Sequence, residues 1–297
     1  MTFLIAGGKN DPNLTQLAQA CCTLNVPFIE CRHDKGISPA FEWDLTSGGI
    51  AIDGKSCDVT SAFIRHDVFE GLNDPRPEIG TRALNWHQAV NGWLLANPSI
   101  RLFNRRHTAL ALSKPATLIA AASVGLKIPA TIISNRQSTI QTAATAGFVT
   151  KPVAGGDYCY VINEVLGRTE FRHARTSCPA FLQPRLISPE VRIYIIRESE
   201  FAFEMRSTSL DYRVHQDATV IPMGVAPKVT GKLRSLMSTL HMDYGAADFK
   251  TDGETGELVF LELNTSPMFA RFDLEVGGRL SKAIITELND TSDTPAC

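Results

Sequence analysis

The sequence predicts an α/β protein that turns to α+β in its C-terminal half, on three observations. The chain opens on an apolar run, Phe3 to Ala6, followed by Leu14, Leu17, Ala18, Cys21 and Leu24 at helical spacing and a second apolar run, Val26 to Cys31. That order and spacing make a parallel β-α-β unit. From Ala180 onward the apolar runs are short and mainly strand-like. Late in the chain, two apolar runs flank the turn Asp252-Gly253-Glu254-Thr255-Gly256, which is hairpin chemistry.

A length of 297 residues gives two or three compact lobes ample core. Hydrophobic content of 44% and charge of 20% are ordinary for a globular chain. The net charge is −2 without a long run of one sign, which implies neither a nucleic-acid nor a membrane partner. The longest apolar stretches, such as Leu118 to Leu126, are too short to span a bilayer, and the first residues lack the pattern of a signal peptide. Seven cysteines, at 21, 22, 31, 57, 159, 178 and 297, form neither a CxxC pair nor a Cys/His metal spacing. Their odd number argues against a disulfide framework, so a cytoplasmic location is the expectation. The histidines are scattered without an HExxH motif, which speaks against zinc chemistry.

Taken in order, Gly7-Gly8 reads as a tight turn after the first strand. A phosphate contact is the alternative, without GxGxxG or GKS/T to support it. Asp11-Pro12 supplies an N-cap and a helix-starting proline, and Asn25 ends that helix. Ile50 to Lys55 reads as a small hairpin and Val59 to Ile64 as a core strand. The strand runs into Arg65-His66-Asp67, at the edge where open α/β sheets bind ligands. Arg65 there either holds a carboxylate or phosphate or pairs with Asp67 at the surface. Residues 77–97 form an amphipathic helix with Ile79, Ala83, Trp86, Val90 and Leu94 inward. Residues 1–104 thus make an N-terminal α/β lobe.

A second unit, residues 105–180, holds a helix from Pro115 to Val124 ended by Gly125, a strand from Ile128 to Ser134 and a helix capped by Asn135. The strand Phe148 to Pro152 then leads into the glycine-bearing loop Val153 to Tyr158. Residues 181–290 bring a strand at Phe181 and a hairpin of Val191 to Arg197 and Phe201 to Arg206 across Glu198-Ser199-Glu200. A helix from Thr230 to His241, the late hairpin and a closing helix from Glu275 to Leu288 follow. Residues 291–297 read as a disordered tail.

The late hairpin carries chemistry. In Leu258 to Asn264 only Glu262 and Asn264 are polar, and alternation points them the same way. Asp248 sits where an antiparallel partner of Glu262 would. Oxygen donors gathered in this way suit Mg2+; an edge hairpin with a solvated polar face is the alternative. Upstream, Lys114 precedes Pro115 at a helix start, and Lys151 ends an apolar strand before the glycine loop. Both either reach polyphosphate or snorkel at the surface. Cations upstream and a metal face downstream are the two halves of a nucleoside-triphosphate site. Arg192, facing away from Ile193 and Ile195, and Arg206 on the paired strand can stabilise a transferring phosphoryl group or an acyl phosphate. Pairing with Glu190 or Glu204 on the sheet surface is the alternative.

This ordered set resembles the ATP-grasp carboxylate–amine/thiol ligases. The resemblance covers roughly Asn104 to Leu288 and is carried by Lys114, Lys151-Pro152, Phe181-Leu-Gln-Pro-Arg-Leu, Glu190-Val-Arg192-Ile, Met205-Arg206, Asp248 and Glu262-Leu-Asn264-Thr-Ser-Pro267. It implies an ATP-grasp fold with a preATP-grasp β-α-β domain, residues 1–104, and nucleotide bound between two α+β subdomains, residues 105–180 and 181–290. By the same resemblance, Lys114 and Lys151 contact ATP phosphates, Gln183, Pro184, Arg185 and Leu186 read adenine through the backbone, and Glu190 meets the ribose. Asp248, Glu262 and Asn264 are the implied ligands of Mg2+, two ions, and Arg192 and Arg206 the implied catalytic arginines. The chain departs from the family pattern at Pro184-Arg185, where an acid usually follows the glutamine, in its short glycine loop, and at Glu190, where Asp is more familiar.

The implied reaction makes an acyl phosphate from a carboxylate and ATP, then joins the acyl group to an amine or a hydroxyl. The look is closest to glutamate-adding peptide ligases and graspetide (microviridin-type) ligases, so the implied partners are small-molecule or peptide carboxylates and amines. Arg65 and Arg271 are placed to meet a substrate carboxylate, with Asp211 to His215 lining the same pocket. The loop Ala154 to Tyr158 is the expected lid. A catalytically altered nucleotide-binding protein and an ATP-grasp kinase are the alternative functions, and a homodimer is left open.

Overall fold

The structure, a computed structural model, describes residues 2–154, 158–207, 209, 210 and 218–290. Its contacts divide the chain into two units, Met1–Arg105 with Met268–Cys297, and Arg106–Pro267.

The first unit is built from β1 (Thr2–Gly8), α1 (Pro12–Leu24), β2 (Phe28–His33), β3 (Phe41–Trp43), β4 (Ile50–Ile52), β5 (Lys55–Ser56), β6 (Val59–Ile64), α2 (Phe69–Asn73) and α3 (Pro77–Ala96). β1 pairs in parallel with both neighbours in the order β2-β1-β6, while β3, β4 and β5 form a small antiparallel sheet. Phe3, Leu4, Ile5 and Ala6 are all buried, as in a strand covered on both faces. α1 starts and stops as its sequence requires. Asp11 Oδ1 accepts the Asn13 N–H at 2.8 Å, a cap worth about 1 kcal/mol, and Asn25 closes the helix at φ 53°. α3 buries Ile79, Ala83, Val90, Trp93 and Leu94, while Trp86, expected inward, stays half-buried and stacks on His33. Gly7 and Gly8 do not make a turn. They lie within β1, where a Cβ on Gly7 would stand 2.7 Å from the Arg65 carbonyl oxygen and one on Gly8 2.2 Å from Asp67 Cγ. Close approach of the β6 end requires them.

The second unit follows a 3-10 turn, Ala109–Leu112, with α4 (Lys114–Ser123), β7 (Ile132–Arg136), α5 (Gln137–Thr145), β8 (Val149–Pro152), β9 (Tyr160–Val161) and α6 (Ile162–Leu166). It continues with β10 (Arg175–Gln183), β11 (Ile187–Ile196), β12 (Ser199–Arg206), β13 (Thr219–Met223), α7 (Pro227–Thr239), β14 (Tyr244–Thr251) and β15 (Leu258–Asn264). Two sheets result, β7-β10-β8-β9 and the antiparallel β13-β12-β11-β14-β15. Val191, Ile193, Ala247 and Phe249 of the larger sheet share one core with Leu118 of α4 and Leu233 and Leu236 of α7.

Four local expectations are corrected. β7 begins at Ile132, since Pro129 has no N–H for a ladder. Asn135 lies in that strand, and Arg136 occupies the N-cap position of α5. α7 starts at Pro227, with Thr230 buried in its first turn and its hydroxyl donating to the Pro227 carbonyl at 3.2 Å. The β11–β12 turn is Arg197-Glu198, with Arg197 at φ 46°, so Arg192 opposes Phe203. A turn at Glu198-Ser199-Glu200 would have opposed Arg192 and Arg206.

The closing helix, expected from Glu275, begins instead at Arg279 as α9 (Arg279–Asn289), after a separate short helix α8 (Ala270–Glu275) and the Gly277-Gly278 pair at φ 63° and 80°. The buried Asp273 carboxylate caps α9, accepting the N–H groups of Leu280 at 2.8 Å and Ser281 at 3.3 Å and the Ser281 hydroxyl. Asn13 Oδ1 accepts the Phe269 and Ala270 N–H groups at 2.6 and 2.7 Å, and α9 buries Leu280, Ile284, Ile285 and Leu288 against the first unit. Residues 268–290, expected with the C-terminal subdomain, are therefore grouped with the N-terminal lobe. The tail 291–297, loop residues 155–157 of the expected lid, and residues 211–215 lie outside the described residues.

Candidate active site

The late hairpin forms as β14 against β15, with Asp248 opposite Glu262 and Ala246 opposite Asn264. Its turn is held by Lys127, whose Nζ lies 2.9 Å from both Asp252 and Glu257. A bulge separates the Asp248–Glu262 pair from Phe249–Phe260 and leaves Leu261 without a partner. The extra residue shifts the alternation by one. Phe260 and Leu263 both enter the core, while Glu262 and Asn264 share the opposite face with Asp248.

On that face Arg192 of β11 opposes Asp248 across the sheet. Its Nε and Nη2 donate to Asp248 Oδ1 and Oδ2 at 2.6 and 2.7 Å, a bidentate pair with side-chain exposures of 13% and 7%. Asn264 Nδ2 donates to Asp248 Oδ2 at 3.0 Å and to Glu262 Oε1 at 3.4 Å. Lys114, at the first turn of α4, places Nζ 2.7 Å from Glu262 Oε2. Lys151, near the end of β8, lies with Nζ 5.5 Å from the ring centre of Phe181, its partner on β10. Burial lowers the Lys151 pKa, with Glu262 opposing and Lys114 adding to the shift. Burial alone would raise the Glu262 pKa, but the charge and hydrogen bond of Lys114, then Lys151 and Asn264, outweigh it and hold the carboxyl below its ordinary value.

The donor set fits a hard cation. Two carboxylates and one amide sit on one sheet face, and the Asn264 amide lies between the carboxylates, where an end-for-end flip presents its oxygen instead of its nitrogen.

No family model matches the chain. It is 23% identical over 263 residues to the D-alanine–D-alanine ligase of Agrobacterium fabrum (strain C58), a match covering 78% of this chain and 85% of that one. Its fold is similar to that of the macrocyclase MdnC of Microcystis aeruginosa MRC, bound with precursor peptide MdnA, at TM-score 0.76 and 20% identity, covering 98% of this chain and 100% of that one. It is similar also to the ATP-grasp ligase PsnB complexed with minimal precursor, Mg and ADP, at TM-score 0.71 and 17% identity, covering 97% and 98%. The chain has the ATP-grasp fold.

The remaining site residues expected of an ATP-grasp chain are placed unevenly. Gln183 ends β10, buried, with its Nε2 donating to Thr131 Oγ1 at 2.9 Å, and Pro184 begins the connector to β11. Arg185, Leu186, Glu190, Ser207, Leu210 and Lys250 line a cleft of about 160 Å³. Glu190 lies on the Arg192 face and pairs with Lys250 at 3.5 Å. Lys250 escaped the sequence reading, although its spacing of two from Asp248 puts it on the same face.

Arg206 is not brought to this face. The pairing of Arg192 with Phe203 turns Arg206 to the other side of the sheet, where it is exposed and bonded to Glu204 at 2.5 Å. Arg65, in the first unit, is neither a surface residue nor a partner of Asp67. It is buried, with Nε donating to Asp11 Oδ2 at 2.8 Å. Asp11 in turn accepts from Asn13, so Arg65 anchors the N-terminus of α1. Arg271 is exposed on α8.

Proposed function

We propose that the chain is an ATP-dependent ligase that activates a carboxylate as an acyl phosphate and joins it to an amine, or a hydroxyl, on an amino-acid or peptide substrate. The single observation that carries this reading is the face shared by Asp248, Glu262, Asn264, Arg192, Lys114 and Lys151, where three oxygen donors stand among three cations. The peptide ligand of MdnC and the precursor and ADP of PsnB support a peptide substrate and ATP as the phosphoryl donor.

Asp248, Glu262 and Asn264 would hold Mg2+, two ions, which when bound neutralises charge on the ATP phosphates. Lys114 turns from Glu262 to the phosphate oxygens and Lys151 reaches them from beside Phe181, while the guanidinium of Arg192 fixes the orientation of the Asp248 carboxylate. The connector Gln183 to Leu186 and the Glu190 cleft take the nucleoside. The substrate carboxylate attacks the γ-phosphorus in line and ADP leaves. The amine then attacks the acyl carbon, the C–O bond to phosphate breaks, and a proton is released with the phosphate. The reaction asks for no nucleophilic side chain from the protein.

Release of ADP and phosphate, measured against a panel of carboxylates with and without amines, tests the proposal. A ligase releases phosphate when both substrates are present. A kinase leaves a stable phosphorylated product without free phosphate, and a binding protein makes no ADP. ATP consumption unchanged by Glu262→Ala or by Lys151→Ala sinks the ligase reading.

A further inference from the structure

A second cluster of ligating side chains lies in the first unit. One ring nitrogen of His33, at the end of β2, and one carboxylate oxygen each from Asp67, after β6, and Glu70, on α2, lie within 4.8 Å of one another. All three residues are buried, at 2%, 4% and 6% exposure. Two of their polar atoms, His33 Nδ1 and Glu70 Oε2, have no hydrogen-bond partner among the described residues. Buried polar atoms left in this state are rare in folded proteins.

The surroundings hold these groups in place. Asp67 Oδ1 accepts the N–H groups of Phe69 at 2.9 Å and Glu70 at 3.3 Å. Gly8 leaves the space that the Asp67 carboxylate fills. Arg82 donates to Glu70 Oε1, which fixes the carboxylate and leaves Oε2 as the uncommitted atom. Trp86 lies flat on the His33 ring, with centroids 5.4 Å apart and planes 9° apart. A cavity of about 10 Å³, the space of about one water, is lined by Gly7, His33, Arg65, Trp86 and His87. Arg82 pairs with Glu70, and among the described residues Asp67 has no ion pair, so a buried negative charge is left that a cation would balance.

We propose that His33, Asp67 and Glu70 form a binding site for one divalent transition-metal ion of the Zn2+ kind, held by an imidazole nitrogen and two carboxylate oxygens. A nitrogen ligand selects against Mg2+ and Ca2+, which take oxygen. The ion ties together the end of β2, the loop after β6 and α2, three segments that meet at the carboxyl edge of the parallel sheet. Arg82 acts as the positioning residue of Glu70, as outer partners of metal ligands do.

The test uses the full chain stripped of metal by a chelator and Co2+ as the probe, with Trp86 as the built-in reporter. Co2+ quenches tryptophan emission in a saturable way at one ion per chain, Zn2+ reverses the optical signature of bound Co2+, and Mg2+ does neither. Asp67→Asn, Glu70→Gln and His33→Ala each weaken Co2+ binding by at least about tenfold, while Glu170→Gln, at an exposed position in the other unit, leaves it unchanged. Far-UV circular dichroism checks that each variant folds. Glu70→Gln keeps the side-chain shape, so the proposal stays testable if His33→Ala does not fold. Absence of saturable quenching in the parent chain, or quenching that Glu70→Gln leaves untouched, overturns the proposal.

Discussion

On the charged face of the second unit three carboxylates of the described residues are each matched by a cation. Glu262 meets Lys114 at 2.7 Å, Asp248 meets Arg192 at 2.6 Å, and Glu190 meets Lys250 at 3.5 Å. A polyphosphate entering alone must pull Lys114 from Glu262 and leave that carboxylate bare. A metal ion entering alone must do the reverse. Entering together, they exchange partners with the protein and leave no charge uncovered. Glu262→Gln removes the carboxylate and keeps the shape, so Lys114 no longer has to be released. The pair is about a quarter to a third exposed, with side-chain exposures of 33% and 23%. Its strength therefore lies between that of a surface pair and that of a buried one, on the order of 1 kcal/mol after solvent screening. At about 1.4 kcal/mol per tenfold, the variant binds ATP without metal roughly fivefold more tightly than the parent. Adding Mg2+ then tightens ATP binding much less in the variant than in the parent. Isothermal titration of ATP into both proteins, in chelator and in excess Mg2+, gives the four affinities. A variant that binds metal-free ATP more weakly than the parent refutes the exchange of partners.

Arg192→Ala leaves the Asp248 carboxylate buried with Asn264 as its one neutral donor among the described residues, a loss of about 3–5 kcal/mol; amide exchange in β11 and β14, followed by mass spectrometry, should quicken by about a hundredfold to a few thousandfold, whereas Arg192→Met with Asp248→Leu should recover most of that protection. Arg206→Ala should change the rate of ATP consumption by no more than about twofold, as for an exposed residue away from the site, and a hundredfold loss would return Arg206 to the chemistry. Asn13→Ala removes the acceptor of the Phe269 and Ala270 N–H groups, and two such bonds at about 1 kcal/mol each should show as a lower thermal midpoint in tryptophan fluorescence, since Trp43, Trp86 and Trp93 all belong to the first unit. The Glu262 pKa is lowered in the folded chain, so its stabilising contribution is fully present above the unfolded value of about 4.3 and is lost as pH falls through the lower folded value; acid denaturation of Glu262→Gln followed by circular dichroism should lack that part of the slope.

What the sequence made legible was local. The Asp11 cap, the Asn25 stop and the Asp252 to Gly256 turn depend on neighbours within a few residues, and each formed as its chemistry requires. The opposition of Asp248 and Glu262 is legible for the same reason, because a short turn sets the register of a hairpin. Parity failed where one residue was added or removed. Strict alternation puts Phe260 on the face of Glu262, and only the bulge at Leu261 sends it to the core. Arg206 was misplaced by the choice of turn, because a two-residue connection at Arg197-Glu198 reverses its face relative to Arg192. The acidic faces and buried stripes survive such errors, but the address of a single side chain does not.

The two clusters of ligating residues differ in how a chain records them. Asp248, Glu262 and Asn264 stand on two strands joined by a short turn, so spacing and alternation hold nearly all of their geometry. Lys114 and Lys151 reach the same face from a helix start and a strand of the other sheet, and in the sequence they are tied to it only by order along the chain. His33, Asp67 and Glu70 come from the far ends of parallel strands, where the register is set by a crossover helix and by how closely β1 admits its neighbours. Parallel pairing places the carboxyl ends of all its strands at one edge whatever the spacing between them. Residues just past those ends therefore meet without any motif, and Gly7-Gly8 is the trace they leave in the sequence, a gap in side-chain volume where the end of β6 must pass.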